Sequence, residues 1–82
     1  MMLEQNFKKM IDEAMSTGQA TYQAWQVDFV DNELIIAHNG GNCARFIIQG
    51  WQKGELIYSG ICTATERPIL DEITLYMLGV EN

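Results

Sequence analysis

The side chains best suited to nucleophilic or metal chemistry are the single histidine, His38, and the two cysteines, Cys43 and Cys62. His38 and Cys43 flank Asn39-Gly40-Gly41-Asn42, a composition that marks a tight turn between strands. A hairpin there sets the two residues close together, and Cys62 falls across from Cys43 or Ala44 on a neighbouring strand. The expectation is a Cys–His–Cys cluster at one edge of a sheet. Zinc would need a fourth ligand, from water or a second subunit. The CxxC and HxxxH spacings of metal sites do not occur in the sequence, so a histidine seated against Trp25 is the simpler role for His38. A Cys43 nucleophile with a His38 base lacks an acid placed by spacing to orient the imidazole.

Other arrangements carry less. The Asn39–Asn42 loop joins strands instead of opening a helix, so it lacks the dipole and the amide cluster of a phosphate loop. Asp12-Glu13 and Asp71-Glu72 are adjacent pairs on helices, pointing to different sides, and do not converge for acid–base work. No catalytic residue, metal or cofactor is assigned, and a non-enzymatic protein is the expectation. Eleven acids against five bases give the 82-residue chain a net charge of −6. That balance argues against binding duplex phosphates or an anionic membrane surface. The α-β-β-β-α order within the chain is similar to that of double-stranded RNA-binding modules, but those need lysines where this chain has Glu66-Arg67-Pro68-Ile69-Leu70-Asp71-Glu72. The acids are also spread along the chain, whereas a mimic of nucleic acid needs them in a dense row. Neither a secretory signal nor an apolar run of membrane-spanning length is visible, which suggests a cytoplasmic protein with both cysteines as thiols.

The elements that position these residues follow from periodicity. Leu3, Phe7, Met10, Ile11, Ala14 and Met15 share one helical face, so a helix is expected over 3–17 with Gly18 as its left-handed cap. From Tyr22 the period becomes two. Asp31-Asn32 suits a primed two-residue turn, which sets Phe29 against Leu34, Val27 against Ile36 and Trp25 against His38. A third strand is expected over Cys43–Trp51 and a fourth over Glu55–Thr63, joined by a Gln52-Lys53-Gly54 loop with Gly54 left-handed. A second helix follows from Thr65, capped by Thr65 or Arg67, with Ile69, Ile73, Tyr76, Met77 and Val80 as its apolar stripe. The expected fold is a single α+β domain over 1–82, a two-layer sandwich of order α-β-β-β-β-α with a four-stranded antiparallel meander.

The helix-facing side of that sheet would hold Trp25, Val27, Phe29, Leu34, Ile36, Phe46, Ile48, Leu56 and Tyr58. The opposite side should be polar if it faces water, yet it carries Val30, Ile35, Ala37, Ile47, Trp51, Ile57 and Ile61. Either one helix crosses to that side or the face is an interface. The interface reading places Ile35, Ile47, Trp51 and Ile57 at its centre and Asp28 and Glu33 at its margin, with Trp51 as anchor. The partner would be a second copy or a larger protein. An accessory, regulatory or inhibitory role follows, of the kind that phage or mobile elements encode. Alternatives are a small-ligand pocket between sheet and helices lined by Trp25, His38, Tyr58 and Tyr76, and an acidic nucleic-acid mimic.

Overall fold

The computed structural model describes residues 3–79. Helix α1 spans Gln5–Thr17 and buries Phe7, Met10, Ile11 and Ala14, the expected stripe. It ends where Gly18 takes φ 99° and its N–H bonds to Ala14 O at 2.8 Å. Five strands follow: β1 (Gln19–Tyr22), β2 (Trp25–Val30), β3 (Glu33–His38), β4 (Gly41–Gly50) and β5 (Lys53–Tyr58). They form one antiparallel meander in sequence order, and α2 (Arg67–Met77) closes the chain. No helix among the described residues is long and apolar enough to cross a membrane.

The fold is the α+β sandwich read from the sequence, with one strand more. That strand, β1, has four residues and pairs Ala20 with Val27 and Tyr22 with Trp25. Its alternation is too short to stand out from a loop. The central hairpin has the expected register, with Phe29, Val27 and Trp25 opposite Leu34, Ile36 and His38. Asp31 and Asn32 both take positive φ, 52° and 62°, as a primed turn requires.

Two turns differ from expectation. The β4–β5 reversal is Trp51-Gln52, where Gln52 takes φ 53°, and Gly50 pairs with Lys53. Gly54 lies inside β5 and serves packing instead: a Cβ there would stand 2.4 Å from Cζ of Phe46. The fourth expected strand therefore starts earlier, and it ends at Tyr58 rather than Thr63. The second helix is not capped by Thr65 or Arg67. Thr63 and Glu66 form a reciprocal box, in which Thr63 N–H donates to Glu66 Oε1 at 2.8 Å and Glu66 N–H donates to Thr63 Oγ1 at 3.3 Å.

Both helices pack on the same side of the sheet. Leu70 and Ile73 of α2 are fully buried in one cluster with Ile11, Val27, Leu34, Ile36 and Phe46. Leu70 replaces Met77 as a central residue of the α2 stripe, and Val80 lies outside the described residues. Among the described residues, the other side of the sheet carries no helix.

Candidate functional site

The first candidate is the cluster around His38. A bulge in β4 builds it: Ile36 pairs with Ala44 and Ala37 with Asn42, so Cys43 is an extra residue between them. Simple alternation would send Cys43 to the same side as Arg45. The bulge turns it inward, and Cys43 and Ala44 are both buried. On β3, His38 stacks on Trp25 with ring centroids 4.1 Å apart and planes 21° from parallel. His38 Nδ1 lies 2.6 Å from Glu66 Oε2, joining the end of β3 to the start of α2.

Glu66 is therefore the hub. Its carboxylate accepts the Thr63 N–H and the His38 ring N–H, and the Cys43 thiol, which donates to Gly41 O at 3.6 Å, lies beside it. These donors, the Thr63 amide foremost and His38 next, hold its acid well below the usual range, at about 2. Cys43 moves the opposite way. Burial first, then the hydrogen bond to Glu66 and the charge of that carboxylate, push its thiol up to about 11. A thiol held protonated at neutral pH is the reverse of an activated nucleophile or a ready metal ligand. Cys62, in the loop after β5, is buried in the hydrophobic core. The structure thus ties His38 to the Glu66 carboxylate with Cys43 buried nearby, while the Cys62 thiol donates to Thr63 O at 3.8 Å. Among the described residues no set of three or more His, Cys, Asp or Glu side chains is arranged to hold a metal ion.

Glu66 was missed in the sequence reading, although Thr63-Ala64-Thr65-Glu66 carries the spacing of a capping box. Of the four residues assigned to a ligand pocket, Trp25 and His38 stack on one another. Tyr58 donates to Asp71 beneath the Arg67 guanidinium, and Tyr76 donates to Asp12 at 2.7 Å. The Asp71 hydrogen bond, before burial, pushes the Tyr58 phenol up to about 12. These tyrosines are used to tie α2 to β5 and to α1.

The second candidate is the open face of the sheet. Strand register lays it out in two rows, Asp28–Ile35–Arg45–Ile57 and Val30–Glu33–Ile47–Glu55. Apolar and charged residues alternate along both. Arg45 donates to Glu33 Oε1 at 2.8 Å across the rows, so these two charges stand between Ile35 and Ile47. Ile35 and Ile47 are half-buried in this grid, whereas Ile57 is 36% and Val30 53% exposed. A shallow cavity of about 300 Å³ opens on the same face between Ile35, Ile57, Asn42, Arg45 and Ser59. Trp51, at the β4–β5 tip, is 88% exposed. Asp28 lies half-buried towards the β2 side and receives the Gln26 side-chain amide at 3.2 Å, whereas Glu33, expected at the margin, stands on the central strand and is paired with Arg45.

No protein-family model matches the chain, and neither curated proteins nor solved structures give a match.

Proposed function

We propose that this is a non-enzymatic interaction protein of the cytoplasm that docks a larger protein on the open face of its sheet, acting as an accessory, regulatory or inhibitory subunit. The observation that carries this reading is Trp51, a large aromatic side chain left 88% exposed beside a face that also exposes Val30 and Ile57. Folding gains nothing from displaying an indole to water, and tryptophan is among the residues that most often dominate interface energies. The acids Asp28 and Asp31 beside the face favour a partner whose apolar contact is flanked by basic residues. The cavity between Ile35 and Ile57 is of a size to take one aliphatic or aromatic side chain from that partner.

The test begins with capture of binding proteins by the tagged chain in its native host, followed by purification of the captured protein and direct titration. Wild type should bind, and Trp51→Ala and Ile57→Asp should each weaken binding at least tenfold with the fold intact. Equal affinity in all three would remove the face from the account.

A further inference from the structure

The two edges of the sheet are built differently, and we infer that a second copy of the chain pairs antiparallel with the β5 edge, joining two sheets into one of ten strands. The β1 edge is short, four residues, and its exposed side chains Gln19 and Thr21 are polar. Tyr22 there is covered by the ring of Phe7, 5.3 Å away and nearly perpendicular. Short, polar and capped is how sheet edges resist further pairing. The β5 edge has six residues, with Ile57 exposed near its end. Nothing among the described residues pairs with its outer side.

Main-chain groups alternate in direction along a strand. Ser59 N–H bonds to Cys43 O at 2.8 Å, so Ile57 and Glu55 turn their groups to β4 while Leu56 and Gly54 turn theirs outward. Lys53, Glu55 and Ile57 share the open face. A two-fold axis at Gly54 matches these features to one another. Gly54 then exchanges two backbone hydrogen bonds with its own copy, Lys53 stands opposite Glu55 of the second copy, and Glu55 opposite its Lys53. Strand pairing in this register spans Lys53–Glu55 of each chain. Every contact occurs twice, as a two-fold interface requires. Opposite charges at facing positions favour this pairing, while a shift of two residues would set Glu55 against Glu55. The lone charges also explain selectivity: to an unrelated strand, Lys53 and Glu55 are obstacles.

This inference does not need the docking face to bind anything, since it concerns the edge. Light scattering and sedimentation on the purified chain read it directly. A dimer of twice the 9.3 kDa chain mass is expected at tens of micromolar protein. Lys53→Glu and Glu55→Lys should each raise the dimer dissociation constant at least tenfold, by replacing two attractions with two repulsions. The combined Lys53→Glu/Glu55→Lys chain should dimerise like wild type. Both positions are exposed, so circular dichroism should show the same fold throughout. A wild-type monomer at all concentrations overturns the inference, and so does a dimer indifferent to the single reversals or unrescued by the double one.

Discussion

Phe46 and Ile47 are neighbours in the chain and face opposite ways, and the two sides of the sheet they share are built differently. On the Phe46 side, helices α1 and α2 cover a continuous apolar layer in which Leu34, Ile36, Leu70 and Ile73 are fully buried. Polar groups on that side are paired: His38 with Glu66, Glu66 with Thr63, Tyr58 with Asp71. On the Ile47 side, apolar residues alternate with charges, and the Glu33–Arg45 pair lies among them without a covering layer. The first side is organised to be closed. The second leaves Val30 and Ile57 open to solvent among charged neighbours. For a chain this small, which buries a modest share of its surface, stability must come almost wholly from the closed side.

That contrast is most easily broken by truncation. Phe46→Ala should cost about 3–5 kcal/mol in urea unfolding, since it empties a ring site at the centre of the core. Ile47→Ala, one residue on, should cost about 1 kcal/mol or less. Similar losses would mean that the open face is packed in the folded monomer. Gly54→Ala should come next, at about 1–3 kcal/mol, because its methyl would collide with the Phe46 ring. Thr63→Ala removes one half of the capping box and should cost about 0.5–2 kcal/mol.

The Glu66 hub adds a pH signature to the closed side. Its folded-state acid is lowered to about 2 from the ordinary 4.5, so the stability it contributes is fully present above pH 4.5. That contribution is lost as pH falls from 4.5 towards 2. Glu66→Gln should lower stability at neutral pH and flatten the acid limb of the stability profile, followed by urea midpoints at each pH. An unchanged acid limb would show that the His38–Glu66–Thr63 contacts do not couple to folding. The smallest effect belongs to the open side: Trp51→Ala should alter unfolding stability by no more than about 0.5 kcal/mol.

How far each side was legible follows from local chemistry. The hairpin pairing Trp25 with His38 could be read because Asp31-Asn32 tolerates left-handed backbone and so fixes the register. The covered stripe of α1 could be read because Phe7, Met10, Ile11 and Ala14 repeat with helical period. The inward turn of Cys43 could not, because a bulge adds a residue without any Gly or Pro to announce it. Gly54 misled for a related reason: its missing side chain makes room for Phe46, a contact distant in sequence, and has no part in the turn. The open face was visible as an excess of Ile, but the Glu33–Arg45 pairing that shields Ile35 and Ile47 depends on a diagonal across strands.

The central claim is that the open face exists for a partner, and one paired measurement addresses it. Wild type and Trp51→Ala are each titrated with the purified captured protein, and each is unfolded in urea. The account predicts coincident unfolding curves and binding weakened at least tenfold, about 1.4 kcal/mol or more, as for an interface anchor. Coincident unfolding with unchanged binding would contradict it, leaving the exposed indole without a role at the interface.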